Sequence, residues 1–322
     1  MKALMYTGER QLEVQEVPAP EGAFLVRVAG CAICGTDLKT YLHGHPYFKP
    51  PTILGHEFYG TVEAAPAQTG YQKGDPVVVA PYGDCGACDL CARGAGELCS
   101  HKRYVSSGAF CELVSVPLDF VADGVIRLDR PDEAFALVEP LACVLCGLDK
   151  VRLEHVRRCL IVGGGPMGAL FALTLMDRGL PVDVVEPNER RRACLNGWGI
   201  PAFDSGAADY GAYDLIVVAV NKPELIAPAV AGVADNGTVH MFAGMPSGSS
   251  VTLDARAIHY RAVTLTGSSG FALAHFHRAY EIIRNNPDHY RRLITHRFPF
   301  AQGREAFAAL ERADAFKVLL RP

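Results

Sequence analysis

Two hydrophobic rhythms divide this chain. In its first part apolar and polar residues alternate in short runs. Leu12-Glu13-Val14-Gln15 reads as a strand, Val17 to Gly22 breaks it with two prolines, and Phe24-Leu25-Val26-Arg27-Val28 resumes one. Gly60-Thr61-Val62-Glu63 and Asp75-Pro76-Val77-Val78-Val79 continue the pattern about a turn from Gly70 to Gly74, and Gly108 to Leu113 and Val114-Ser115-Val116 extend it. The pattern predicts a small antiparallel β domain. From Cys159 onward the apolar runs are continuous: Cys159 to Val162, Val182 to Val185, Asp214 to Val220, Gly237 to Ala243 and Val263 to Thr266. Helical stretches or loops separate them, among them Ala169 to Arg178, ended by Gly179 and Pro181, as a doubly wound parallel sheet requires. Phe271 to Asn285 reads as one more helix, stopped by Asn286-Pro287. No internal repeat or low-complexity segment interrupts this order.

Length agrees with two cores, since 322 residues are long for one and sufficient for two. Hydrophobic residues at 49% and charged residues at 20% suit a globular enzyme and exclude a disordered tail. No apolar run of about 18 residues is free of Gly, Pro or charge, so no membrane span is expected. The segment Met1-Lys2-Ala3-Leu4 opens no signal-peptide pattern, and a cytoplasmic location is the expectation. A net charge of −4 gives no reason to expect nucleic acid as a partner. The eleven cysteines are clustered, which favours metal ligation and free thiols over disulfides.

The candidate chemistry centres on the stretch from Cys31 to Glu57. Cys34-Gly35-Thr36-Asp37 and Gly55-His56-Glu57 supply a thiolate, an imidazole and a carboxylate, the mixed ligand set of a zinc ion that keeps one position open. A second carboxylate competes with Glu57: Glu139, in Val138-Glu139-Pro140-Leu141-Ala142, sits in an apolar context where an acid is costly unless paired or metal-bound. Between them Cys85, Cys88, Cys91 and Cys99 follow a C-x2-C-x2-C-x7-C spacing among glycines. Four thiolates in so short a loop close around one tetrahedral zinc and leave no place for substrate; an iron–sulfur cluster is the competing reading.

The second part carries G-x-G-x-x-G after an apolar strand, as Gly163-Gly164-Gly165-Pro166-Met167-Gly168. Gly163 permits the tight turn, Gly165 lets the backbone approach a pyrophosphate at a helix N-terminus, and Gly168 allows close packing of helix on strand. Pro166 suits the first helical turn, and Glu186, closing the next strand, is placed to accept from the ribose 2′-hydroxyl of NAD. Arg190 and Arg191 are near enough in sequence to attract a 2′-phosphate, which keeps NADP as the lesser alternative.

Taken together these motifs, with Leu293-Ile294-Thr295-His296, resemble the zinc-containing medium-chain alcohol dehydrogenase superfamily over nearly the whole chain. Glu139 in place of Cys is similar to its sorbitol, threonine and polyol dehydrogenase branch. The resemblance implies an α/β protein. A GroES-like catalytic domain would take residues 1–141 and 271–322, with a structural zinc lobe at about 83–100, and a Rossmann NAD(P)-binding domain residues 142–270. It also implies homodimers or homotetramers, and a cleft in which ion and nicotinamide meet. Zinc on Cys34, His56 and Glu57 or Glu139 would act on the substrate oxygen. Thr36 would receive the proton, Asp37 would orient His56, and hydride would pass from a secondary alcohol to NAD(P) to leave a ketone. Three features depart from the family pattern: Lys39 where many relatives carry His, Cys146-Gly147 where His-Ala is frequent, and a short span from Cys99 to Gly108. The expected substrate is a polyol, sugar or cyclitol, with the loop Tyr41 to Tyr47 offering polar and aromatic contacts. A threonine-type amino alcohol is the runner-up. A zinc-independent reductase of the same superfamily and a non-enzymatic zinc-binding interaction protein are the remaining rivals.

Overall fold

The computed structural model describes residues 1–204, 209–312 and 315–322. The chain folds into two compact units, one of Met1–Ala142 with Phe271–Pro322 and one of Cys143–Gly270.

The first unit is built on a seven-stranded sheet. Its path runs from Val125–Arg127 through Pro76–Val79, Glu57–Ala64, Phe24–Ala32 and Lys317–Arg321 to Ile294–Pro299, with Leu113–Val116 also paired to Phe24–Ala32. The C-terminal strand therefore lies beside an N-terminal one: Leu319 pairs with Ala32 and Leu320 with Cys31, antiparallel. Strands rich in Val, such as Pro76–Val79, bury nearly every side chain, and this apolar content makes the sheet the core of the unit. A smaller sheet orders Gln11–Glu16, Lys2–Gly8 and Thr52–Ile53.

Two expectations need correction here. Only Leu113–Val116 forms the strand expected from Gly108 onward. Ala109 and Phe110 instead donate to the carbonyls of Gly55 and Leu54 at 2.9 Å each, and Cys111 makes only an isolated antiparallel bridge to Ala3, flanked by the Leu4 N–H donating to the Phe110 carbonyl at 2.8 Å and the Glu112 N–H to the Lys2 carbonyl at 3.0 Å. Gly108 presses so closely on the Ile53 and Leu54 carbonyls that a β-carbon would come within 2.2 and 2.4 Å of them, so backbone contact and not strand period governs the start of the segment. The stretch Tyr41 to Tyr47 is also not one loop. Tyr41–His43 is the last turn of the helix Gly35–His43, held by the packing of Tyr41 on Phe307 at 4.9 Å between ring centroids. The loop begins at Gly44, whose φ of 70° ends the helix.

The second unit is a six-stranded parallel sheet in the order Ala202–Phe203, Val182–Val185, Cys159–Val162, Leu215–Val218, Thr238–Met241, Thr264–Gly267. Cys159–Val162 and Leu215–Val218 are buried at every position, the mark of parallel strands covered on both faces. Leu160, Ile216, Val218 and Val239 pack with Ile226, Val230 and Val233 in one core cluster. The chain winds outward from Cys159–Val162 to one side and then, from Leu215–Val218, to the other. The strand order thus reverses beside Cys159–Val162, where the glycine turn follows, and ligands of such sheets bind at that switch point.

Candidate active site

Cys34 stands at the N-cap of the helix Gly35–His43, and its backbone N–H donates to Asp37 Oδ2 at 2.9 Å. The other oxygen of Asp37 accepts from the backbone N–H of Gly55 at 3.1 Å. One buried carboxylate thereby fastens the segment bearing Cys34 to the segment bearing His56. Gly55 has no substitute: its φ is 92°, and a β-carbon there would meet the Phe110 ring at 2.5 Å. His56 follows directly, and Glu57 opens the strand Glu57–Ala64.

This geometry gathers Cys34, His56 and Glu57, with one donor atom of each within 4.8 Å of the others. The donor set is that of an open zinc site: a thiolate, an imidazole and a carboxylate. Enclosure disfavours a charged His56 ring, yet Asp37, Cys34 and Glu139 hold its pKa well above the ordinary value. Asp37 Oδ1 stands 3.7 Å from His56 Nδ1, beyond hydrogen-bond range, so its influence on the ring is one of charge. Glu139, 7% exposed, lies in the first turn of the helix Val138–Leu148, and its charge reaches both His56 and Lys317. Thr36 is half-buried in the first turn after Cys34.

Lys317 is a residue that motif reasoning missed. Its ammonium donates to both oxygens of Glu57 at 2.5 Å, and the two side chains are 2% and 0% exposed. Burial works against the charged lysine, but Glu57 and Cys34 raise its pKa above the ordinary value. The available signal was a lysine inside the apolar run Phe316-Lys317-Val318-Leu319-Leu320, where an unpaired charge is not tolerated.

Cys85, Cys88, Cys91 and Cys99 form a second group. Their sulfur separations are 3.4 Å for Cys88–Cys91, 3.5 Å for Cys85–Cys99, 3.7 Å for Cys88–Cys99 and 4.0 Å for Cys85–Cys91. Zn–S bonds of about 2.3 Å in a tetrahedron place sulfurs about 3.8 Å apart, so the lobe fits a single ion, and a multi-iron cluster would need a wider frame.

In the second unit Gly163, with φ of 106°, turns the chain from the strand Cys159–Val162 toward the helix Pro166–Met176, which Gly165 caps and Pro166 begins. A β-carbon on Gly168 would lie 1.9 Å from the Gly163 carbonyl oxygen, so the helix approaches the turn as only glycine allows. Met167 occupies the first helical turn. Glu186, 4% exposed, accepts from the backbone N–H of Gly164 at 2.8 Å and of Asn188 at 2.9 Å. Above Gly165 the space is open: a β-carbon there would meet only Arg191 Nη1, at 3.9 Å. The Nε of Arg191 is buried and makes no hydrogen bond among the described residues. An open turn at the N-terminus of a helix, with Arg191 Nη1 beside it, fits the pyrophosphate of a dinucleotide.

Residues 20–125 match the alcohol dehydrogenase GroES-like domain family. The chain is 30% identical over 318 residues to D-altritol 5-dehydrogenase of Agrobacterium fabrum, covering 94% of each chain. It is 26% identical to sorbitol dehydrogenase of Halalkalibacterium halodurans, covering all of this chain and 99% of that one. Among solved structures, a candidate zinc-binding dehydrogenase of Sinorhizobium meliloti bound to NADP superposes with a TM-score of 0.88 at 26% identity, over 100% of this chain and 99% of that chain.

Proposed function

Because the chain belongs to the zinc-containing medium-chain alcohol dehydrogenase superfamily, we propose that it oxidises a secondary hydroxyl of a polyol or sugar-derived substrate to a ketone at Cys34, His56 and Glu57. The observation that carries this reading is the gathering of those three donor atoms within 4.8 Å. The relatives named for altritol and sorbitol support the polyol class. When bound, zinc supplies a Lewis acid toward the substrate oxygen, and the nicotinamide supplies the hydride acceptor.

The chain's own residues do the rest. Asp37 holds the Cys34 and Gly55 backbones in register and lends His56 its negative charge. Lys317 pairs with the fully buried Glu57, and Glu139 is the second carboxylate whose charge reaches His56. Thr36 takes the proton released by the alcohol and passes it outward. Cys85, Cys88, Cys91 and Cys99 hold a second, structural zinc. In the other unit Gly163, Gly165, Pro166, Met167 and Gly168 seat the dinucleotide, with Arg191 at the pyrophosphate. Glu186 beside Gly164 would repel a 2′-phosphate, which favours NAD over NADP. All eleven cysteines stand free of disulfides, which suits a reducing, cytoplasmic setting.

The test is a screen of altritol, sorbitol, arabinitol, sugar acids and threonine with NAD and NADP, following reduced nicotinamide absorbance in wild type and Cys34→Ser. Expected is turnover of a polyol with NAD, lost by about a thousandfold or more in the variant while NADH binding is retained. Full activity in Cys34→Ser would overturn the assignment, and a preference for threonine would move the substrate to the amino-alcohol class.

A further inference from the structure

Apart from the metal ligands, the first unit carries an open pocket of about 480 Å³, within the size range of small-ligand sites. Its lining includes Tyr59, Asp132, Glu133, Arg291, Arg297 and Arg321. Asp132 is bound by Arg291, whose Nε donates to Oδ1 at 3.1 Å and whose Nη2 donates to Oδ2, while its Nη1 donates to Asp288 Oδ1. Glu133, by contrast, carries two arginines. Arg297 donates to both its oxygens, through Nε at 2.8 Å and through Nη2, and Arg321 Nη2 donates to Oε2 at 2.8 Å. Arg297 holds the Glu133 carboxyl below the usual carboxylate range, so the acid stays ionised beneath two guanidinium groups.

Donors are left over. Neither Arg297 Nη1 nor the Nε and Nη1 of Arg321 donates to any described residue. Tyr59 is only 5% exposed and lines the pocket, yet its hydroxyl makes no hydrogen bond among the described residues, where a buried phenol ordinarily finds one. Two guanidinium forks with donors to spare and a phenol hydroxyl converging on one cavity offer the donor set that an oxyanion accepts from.

We propose that this pocket binds the carboxylate or phosphate group of a small metabolite, held by Arg297, Arg321 and the hydroxyl of Tyr59. The site is separate from the metal ligands but shares their strands. Tyr59 lies two residues beyond Glu57 on Glu57–Ala64, and Arg321 four beyond Lys317 on Lys317–Arg321, positions of equal parity that face the same side of a sheet. An occupant would therefore brace the two strands that carry the buried Glu57–Lys317 pair.

Calorimetric titration of the zinc-loaded protein, saturated with NADH so that the glycine turn is filled, tests this with inorganic phosphate and with gluconate at constant ionic strength. Saturable binding of one or both is expected: phosphate alone identifies a phosphate ester as the occupant, gluconate alone a sugar acid. Arg321→Gln should weaken that binding by about tenfold, as loss of a charge-assisted donor does. Tyr59→Phe, which leaves every ion pair in place and so keeps the test valid if the arginine variant misfolds, should weaken it by about threefold or more. No saturable binding of either anion to the wild type, or equal binding by wild type and Tyr59→Phe, overturns the proposal.

Discussion

The imidazole of His240 occupies the space that a side chain on residue 147 would need. A β-carbon on Gly147 would lie 2.6 Å from His240 Cε1, and the ring is fully buried, with Nε2 3.1 Å from Ser268 Oγ and Phe171 beside it. The departure from His-Ala at Cys146-Gly147 thus has a steric counterpart on a distant strand. Gly147→Ala should destabilise the protein by about 1–3 kcal/mol, as overpacking does. His240→Ala should cost stability on its own, and the double variant should lose less than the sum of the two, because removing the ring frees the space. Urea unfolding of the three variants measures the coupling; strict additivity would contradict it.

The same ring predicts a pH dependence. Burial lowers the His240 pKa to about 4, whereas the unfolded chain titrates near about 6.5. The unfolded state therefore takes up the proton first. The contribution of His240 is undiminished above about pH 6.5, declines as the pH falls, and levels off below about pH 4. Between pH 7 and pH 5 this amounts to about 2 kcal/mol. Comparing unfolding free energies at the two pH values, His240→Leu should lose that much less stability than the wild type.

Lys317 and Glu57 neutralise each other out of reach of water. Lys317→Met leaves a buried carboxylate alone and should cost about 3–5 kcal/mol. Glu57→Gln combined with Lys317→Met should recover much of that loss in thermal unfolding while remaining impaired in turnover. Recovery of activity along with stability would show that Glu57 has no part in the site.

The four-cysteine lobe should behave as a staple with no part in the chemistry. Cys91→Ser should lower the zinc content from about two ions per chain to about one and reduce thermal stability, since the metal is part of what folds the loop. The remaining ion should still support turnover per folded chain. Loss of both ions together, by mass spectrometry or absorption analysis, would count against two independent sites.

Glu186 should discriminate between cofactors. Glu186→Ala removes the acceptor that fastens the Gly164 and Asn188 backbones and the charge that would repel a 2′-phosphate. NADH affinity should fall by about tenfold or more, and NADPH affinity should fall less or rise. Fluorescence titration with the two reduced cofactors reads both.

How much of this was legible in the sequence depended on how local each feature is. Continuous apolar runs separated by helical stretches or loops identified the parallel sheet, because burial on both faces leaves no polar alternation to disguise it. The turn Gly163 to Gly168 was legible for a similar reason: tight turn, close approach and helix start fall within six consecutive residues. The stretch from Gly108 to Glu112 misled, because its residues have strand composition while its hydrogen bonds are divided between Leu54 and Gly55 on one loop and Lys2 and Leu4 on a strand, leaving one isolated bridge at Cys111. Tyr41 to His43 misled in the opposite sense, since its polar look hid a helical turn held by Phe307.

By itself, then, the sequence determined the two-part α/β organisation and the glycine turn and marked the candidate ligands, all properties of residue type and short spacing. Only the tertiary structure decided that Lys317 neutralises Glu57, that Asp37 bonds to two backbones and lies 3.7 Å from His56 Nδ1, that His240 requires glycine at 147, and that Tyr59 meets two arginines. Each of these depends on which strands and loops approach one another from far apart in the chain. No local period encodes that approach; it follows from burying the whole sheet at once.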